Sequence, residues 1–261
     1  MTPRLVATDL DGTLLGADGH VSAYTREVLA DLDARDVPVI FTTGRPVRWM
    51  EELWDEVGGH GLAICSNGGI VYDVTQRRVR EHAAVPRDVA MELADLLRAA
   101  VPGTTFAVEH TQGWAREAGF PRHPDDRPIG DGDFAGIYRD DVVKILAVHA
   151  ELAPEEFWRR VEDTVGHLVT TTWSSSFALV EISAAGVTKA SALATLSAEL
   201  GVDAAQAVAF GDMPNDLPML GWAGLACAVE NAHPDVLAAA DEVVPSNVDD
   251  GVARTLARLF A

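Results

Sequence analysis

Five short polar clusters carry the residues that could do chemistry. The first is Asp9-Leu10-Asp11-Gly12-Thr13, directly after the apolar run that ends at Thr8. If strand geometry continues, alternation points Asp9 and Asp11 to the same side, and Gly12 allows a sharp turn. Two carboxylates held together repel each other unless a proton or a cation joins them. Magnesium, a hard cation that prefers oxygen ligands, would neutralise them. A lone Asp-x-Asp is more often a solvated turn, so the strand before it matters to the argument.

The second cluster, Thr42-Thr43-Gly44-Arg45, closes another apolar run. A hydroxyl and free backbone N–H groups at such a place can hold phosphate oxygens, although a plain strand-end turn also uses glycine. In the third, Ser66-Asn67-Gly68-Gly69, Asn67 either orients a phosphate or substrate oxygen or belongs to a hairpin turn into Ile70 to Asp73, and its composition suits both. The fourth is Lys189, which opens a helix after Gly186-Val187-Thr188. The helix macrodipole disfavours a cation there, and a bound phosphate would reverse that preference. Solvated surface lysines are nevertheless common. The fifth, Gly211-Asp212-Met213-Pro214-Asn215-Asp216, adds two carboxylates after another apolar run. Asp212 is placed to ligate a metal. Asp216 can do the same, or hold Lys189 or a metal-bound water. Helix capping by Asp212 with Pro214 in the first turn accounts for the same residues. Any one cluster has an ordinary structural reading. Five of them at strand ends, in this order, point to one site.

The elements that must position these clusters alternate. Leu5 to Thr8, Val37 to Thr42 and Leu62 to Cys65 read as strands. Between them Val21 to Asp36 reads as a helix with Ser22 as its N-cap, and Pro46 to Val57 as a second helix. The last third repeats the pattern: helix Lys189 to Leu200, strand Ala205 to Phe210, short helix Leu217 to Leu220, strand Gly224 to Val229, helix Pro234 to Ala240, strand Glu242 to Val244 and helix Gly251 to Phe260. Such alternation implies an α/β fold, a doubly wound parallel sheet with helices on both faces, whose ligands bind beyond the carboxyl ends of the strands.

The middle breaks the alternation. A helix (Arg87 to Ala100), a strand (Thr105 to Glu109), a loop-rich stretch (Gly119 to Gly136), a strand (Val142 to His149), a helix (Pro154 to Val165) and two strands (Val169 to Trp173, Phe177 to Ile182) around Ser174-Ser175-Ser176 suggest an α+β insertion. The expected organisation is a core of residues 1–82 and 186–261 with an inserted domain at 83–185.

Composition excludes some partners. The chain has 261 residues and a formal net charge of −20, with 48% hydrophobic residues. A field of that sign disfavours nucleic acid and anionic membranes. It also repels a phosphorylated substrate, so a phosphate site must be locally positive. Two cysteines, Cys65 and Cys227, are too few for a disulfide framework and match no zinc spacing. The start of the chain lacks a signal-peptide pattern, and no run reaches the roughly 18 apolar residues of a membrane helix. The expected location is cytoplasmic, with monomer and homodimer both open.

At this point the sequence resembles a known family. Asp9-Leu10-Asp11-Gly12-Thr13-Leu14-Leu15, Thr42-Thr43-Gly44-Arg45, the lysine of Gly186-Val187-Thr188-Lys189 and Gly211-Asp212-Met213-Pro214-Asn215-Asp216 look like the four motifs of the haloacid dehalogenase (HAD) superfamily of phosphohydrolases. Within it they resemble the Cof-type group with a type IIB cap inserted between the second and third motifs. Residues 230–241 and 246–253 look like that group's tail. The resemblance implies a Rossmann-like core with a cap, acting on a small phosphorylated metabolite such as a sugar phosphate. It implies Asp9 as nucleophile and Asp11 as general acid/base, with Thr43 and Lys189 on the transferring phosphoryl group. It also implies Mg²⁺ held by Asp9, the Asp11 carbonyl and Asp212, with Asp216 behind them. Gly44, Arg45, Asn67 and Asn215 join the phosphate or substrate side. Met213 departs from the small polar residues frequent there. Two alternatives share these residues: a phosphomutase and a non-catalytic phosphometabolite-binding protein.

Overall fold

A computed structural model describes residues 2–57, 61–121, 127–173 and 175–261. The first third of the chain contains strands β1 (Leu5–Asp9), β2 (Val39–Thr42), β3 (Leu62–Cys65), β4 (Ile70–Asp73) and β5 (Arg78–His82). Between β1 and β2 lies helix α1 (Ala23–Ala34). Ser22 caps it by accepting the Thr25 N–H, and Leu29 and Leu32 form its buried side. The stretch expected as one helix over 46–57 is instead a 3₁₀ turn (Val47–Trp49) followed by the one-turn helix α2 (Trp54–Val57). Met50, Leu53, Trp54 and Val57 still recur at helical spacing and all are buried. Their packing, including Trp54 stacked on Tyr72 with ring centroids 5.6 Å apart, holds the segment without a continuous helix.

The chain divides into two compact units, one of residues Met1–Arg80 with Thr188–Ala261 and one of Glu81–Val187. The second unit is the inserted α+β cap. It holds α3 (Arg87–Ala100), β6 (Thr105–His110), β7 (Gly113–Glu117), β8 (Gly130–Gly132), α4 (Phe134–Ile137), β9 (Val142–Val148), α5 (Pro154–Val165), β10 (Val169–Thr172) and β11 (Leu179–Ala184). Its strands run in the order β10-β11-β9-β6-β7-β8. Leu93, Leu97, Phe157 and Val161 from the helices share one core with Phe106, Val108, Ile145, Val180 and Ile182 from the strands. The last strand begins at Leu179 rather than Phe177, whose side chain is exposed. Strands β7 and β8 add to the expected set. Part of the loop expected at 119–136 (residues 122–126) and Ser174 lie outside the described residues.

The chain then returns to the first unit with α6 (Lys189–Glu199), β12 (Ala207–Gly211), α7 (Leu217–Trp222), β13 (Leu225–Val229), α8 (Pro234–Ala239), β14 (Glu242–Val244) and α9 (Gly251–Leu259). Among the described residues the sheet order is β14-β13-β12-β1-β2-β3-β4-β5. Strands β13, β12, β1, β2 and β3 are mutually parallel. Every residue of β1, β2 and β12 is buried, as expected where helices cover both faces of a parallel sheet. Strand β1 lies between β12 and β2, so connections leave it in opposite directions. Ligand sites form at such a switch point. The register pairs Asp9 with Thr42 and Thr8 with Phe210. The loops after β1, β2, β3 and β12 therefore leave one edge of the sheet side by side.

Candidate active site

Asp9 is the last residue of β1, and Lys189 reaches it from the start of α6. Its ammonium donates to Asp9 Oδ1 at 2.5 Å and to Asp216 Oδ1 at 2.7 Å. Lys189 is 1% exposed and Asp216 0%. A buried lysine at a first helical position needs the helix fixed by other means. Here Thr188 and Ser191 form a reciprocal capping box. The third loop supports the same corner. Ser66 and Asn67 both adopt left-handed backbone (φ 51° and 56°), a conformation costly for non-glycine residues. At Gly68 a Cβ would stand 2.2 Å from the Thr188 carbonyl oxygen, so that glycine lets the loop approach the start of α6.

Asp212 follows β12 and faces the loop after β1. Thr13 Oγ1 donates to Asp212 Oδ1 at 2.9 Å. Gly12 has φ +75°, and a Cβ there would sit 2.3 Å from Asp212 Oδ2. The two acidic loops thus touch through a glycine and a threonine hydroxyl. Thr13 was not among the residues singled out for chemistry, although it stands in the quoted motif; a hydroxyl two residues from an Asp-x-Asp was the available signal.

Asp9, Asp212 and Asp216 are buried, and each offers an oxygen within 4.8 Å of the others. One ammonium faces these three carboxylates. The pKa directions show the excess negative charge. Burial raises the Asp9 carboxyl well above the usual range, against the pull of Lys189, with Asp216 and Asp212 adding to the rise. Burial, then the Asp216 charge, pushes Asp212 up to about 6, against Thr13 and Lys189. Lys189 is held protonated: burial opposes its charge, but Asp216 and Asp9 outweigh it. A divalent cation with hard oxygen preference fits this donor set and would balance the charge. Asp216 is already engaged, since its Oδ2 accepts the Asp212 and Met213 N–H groups at 3.0 and 3.1 Å. That leaves Asp9 and Asp212 as the carboxylates best able to turn oxygens to a metal.

The other expected residues lie on the same edge. Asp11 pairs with Arg45, which donates from Nε to Oδ2 at 2.7 Å and from its terminal nitrogen to Oδ1 at 2.5 Å. Thr43 is buried, and its hydroxyl accepts the Arg45 N–H at 3.0 Å across Gly44. Asn215 Nδ2 donates to Asn67 Oδ1 at 3.2 Å. Among the described residues, Asn215 Oδ1 and Ser66 Oγ are buried without a partner. Such orphaned polar atoms are uncommon and mark places where a bound group can supply the missing bonds.

The Asp212 shift gives a pH prediction. Its carboxyl binds a proton more tightly in the folded chain (about 6) than its ordinary 3.8. A divalent ion must displace that proton. Because Asp9 is raised as well, Mg²⁺ binding followed by calorimetry should weaken by at least about tenfold per pH unit below pH ~6, with proton release on binding. For the same reason the metal-free fold should lose stability as pH rises from about 4 through 6, because the folded form holds more protons there than the unfolded chain. Mg²⁺ binding that stays constant from about pH 5 to 8 would remove Asp212 from the metal site.

A β1 aspartate, a lysine bridging it to a second acid, and a third acid just past the neighbouring strand meet at one edge of a Rossmann-like core. The chain belongs to the haloacid dehalogenase-like hydrolase family, whose pattern matches residues 6–256. It is 29% identical over 261 residues to the 5-amino-6-(5-phospho-D-ribitylamino)uracil phosphatase YcsE of Bacillus subtilis, covering 97% of this chain and 94% of that protein. It is 28% identical over 268 residues to the pyridoxal phosphate phosphatase YbhA of Escherichia coli, covering 97% of each. Its fold is also that of the HAD subclass IIB sugar phosphatase BT4131, with a TM-score of 0.83 at 21% identity, covering 98% of this chain and 99% of that one.

Proposed function

We propose that the chain is a Mg²⁺-dependent phosphatase of small phosphorylated metabolites that works through an aspartyl-phosphate on Asp9. The observation that carries this reading is the Asp9 carboxylate at the end of β1, held by Lys189 at 2.5 Å among buried acids. In the first step Asp9 attacks phosphorus in line, the P–O bond to the substrate's leaving oxygen breaks, and that oxygen takes a proton which Asp11, released from Arg45, has picked up from water or from the incoming phosphate monoester. In the second step water attacks the aspartyl-phosphate, Asp11 takes the water's proton, and the P–O bond to Asp9 breaks to release inorganic phosphate. Lys189 and Thr43 hold the phosphoryl oxygens through the transfer. Arg45 has two uses: it holds Asp11 in the free enzyme, and an arriving phosphate offers it a stronger partner, which frees Asp11 to act. The unpaired Ser66 Oγ and Asn215 Oδ1, with Asn67, suit the polar groups of a bound substrate. Asp9, the Asp11 carbonyl and Asp212 would hold Mg²⁺, which would supply charge neutralisation for the phosphoryl group.

The relatives support this reading. The YcsE and YbhA names both specify a phosphorylated small molecule. Neither cysteine is in a disulfide and both are buried, and among the described residues no helix is long and apolar enough to cross a membrane. Both facts suit a cytoplasmic enzyme. The test is inorganic phosphate release from pyridoxal phosphate, 5-amino-6-(5-phospho-D-ribitylamino)uracil and hexose phosphates, with and without Mg²⁺. Release from at least one compound that stops on chelation and returns with Mg²⁺ is expected. Transfer of the phosphoryl group to another hydroxyl of the substrate, with no free phosphate, would replace this reading with a mutase.

A further inference from the structure

Two asparagines near the C-terminus grip the catalytic loop by its carbonyls. Asn231 Nδ2 donates to the Gly12 carbonyl at 2.7 Å, and Asn247 Nδ2 donates to the Leu15 carbonyl at 2.7 Å. The Asn247 backbone N–H donates to Asn231 Oδ1 at 3.0 Å. That bond fixes the amide, because with its oxygen engaged the Asn231 NH₂ end must meet Gly12. Two residues on, the His233 N–H donates to the Asp212 carbonyl at 2.8 Å. One three-residue stretch therefore holds the loop after β1 by one carbonyl and the loop after β12 by another.

The point of attachment makes this hold matter. The Gly12–Thr13 peptide is where the two acidic loops meet, since Thr13 Oγ1 bonds Asp212 and Gly12 packs against the same carboxylate. A shift of that peptide moves Asp212 relative to Asp9 and Asp11. Sub-ångström placement of reacting groups strongly affects rate.

We propose that Asn231, oriented by Asn247, is a positioning residue for phosphoryl transfer: it acts through the Gly12 carbonyl to set the spacing between the Asp9 loop and Asp212. The proposal rests on the phosphatase reading above. Asn231 is itself exposed, so its loss strands no deeply buried side chain and should cost little stability. An effect on chemistry can therefore be separated from an effect on folding.

The experiment compares the full-length wild type with Asn231→Ala and Asn231→Asp. Alanine deletes the donor. Aspartate keeps the acceptor for Asn247 but sets a second oxygen against the Gly12 carbonyl. With p-nitrophenyl phosphate at saturating Mg²⁺, kcat should fall about tenfold in the alanine variant and further in the aspartate variant, with KM within about threefold of wild type. The metal-free melting temperature should stay within about 3 °C. The rise in melting temperature on adding Mg²⁺, a readout independent of turnover, should shrink in the alanine variant, which changes no charge. Asn247→Ala keeps its backbone N–H to Asn231 and loses the Leu15 contact and the Ser246 hydroxyl's bond to its Oδ1, so it should show a smaller fall; it serves if the position 231 variants do not fold. Unchanged kcat and an unchanged Mg²⁺-induced shift would overturn the proposal, as would a loss of rate that only tracks loss of folded protein. If the wild type releases no phosphate from this compound or from any of the phosphorylated metabolites above, the phosphatase reading fails, and the Mg²⁺-induced shift alone decides on Asn231.

Discussion

Asp9→Asn should reduce phosphate release by at least about 10⁴-fold while leaving the metal-free protein no less stable than wild type. The two halves of this expectation come from different facts. An amide is not a nucleophile towards phosphorus, and no other carboxylate ends β1. Asp212 follows the next strand and bonds Thr13, while Asp216 holds Lys189 and two backbone N–H groups. Neither can replace Asp9 without dismantling the site. Stability should hold because the wild-type site carries three buried carboxylates against one ammonium, and burial already works against the charge on Asp9. Asparagine removes that charge and keeps the side-chain shape, and Lys189 retains Asp216 as its partner at 2.7 Å. Steady-state phosphate release and a thermal melt without metal check the two halves. Turnover within tenfold of wild type would defeat the covalent scheme, whatever the melt showed.

The site was readable because its residues stand at strand ends, where apolar runs stop and polar types begin. Asp9, Thr43, Asn67 and Asp212 each follow such a run, and the parallel sheet brings their loops to one edge. What spacing cannot show is which carboxylate a cation chooses. Lys189 lies 180 residues from Asp9 in sequence and 27 from Asp216, and it bridges them because α6 starts beside the Ser66–Gly68 loop. The Asp11–Arg45 pair was equally hidden. Each belongs to a motif that is weak by itself, and nothing local says that one turns to the other rather than to a ligand. Thr13 and Asn231 went unread for a related reason, since they act on backbone and carboxylate partners about 200 residues away.

Fold details failed where packing overrode periodicity. The 46–57 segment has helical spacing of buried residues, yet it forms a 3₁₀ turn and a separate one-turn helix rather than one continuous helix. Strand β7 runs through Gly113-Trp114-Ala115-Arg116-Glu117, a stretch whose glycine and charges do not read as a strand. It forms because β6 offers an antiparallel edge, with Trp114 opposite Glu109 and Ala115 opposite Val108. Phe177 was read as a strand residue on hydrophobicity, but the register with β9 starts at Leu179, and Phe177 stays exposed.

Lys189→Met tests the charge balance most severely. Methionine matches the length of the lysine stem and packs well in a buried slot, so the change is chiefly loss of the ammonium. In the metal-free protein at neutral pH it leaves Asp9 and Asp216 buried without their shared cation. Breaking a buried ion pair on one side costs about 3–5 kcal/mol. The acids can relieve this by binding protons, so the penalty should depend on pH with a definite sign. A carboxyl whose folded pKa is raised loses stability as pH rises through that pKa. The variant should therefore lie closest to wild type at about pH 5 and fall furthest below it at about pH 8. Mg²⁺ should restore part of the gap at pH 8, since it replaces some of the missing positive charge. Turnover should not return with it: the phosphoryl oxygens lose a buried cation aimed at them, and a loss of about 10³-fold or more in kcat is expected. Lys189→Arg should not rescue the rate, because the planar guanidinium is too broad for a slot that leaves the lysine 1% exposed. Denaturant melts at both pH values, with and without Mg²⁺, separate the two roles. A variant as stable as wild type at pH 8 without metal would mean that Lys189 does not balance the acids. Full turnover in that variant would remove it from the phosphoryl site.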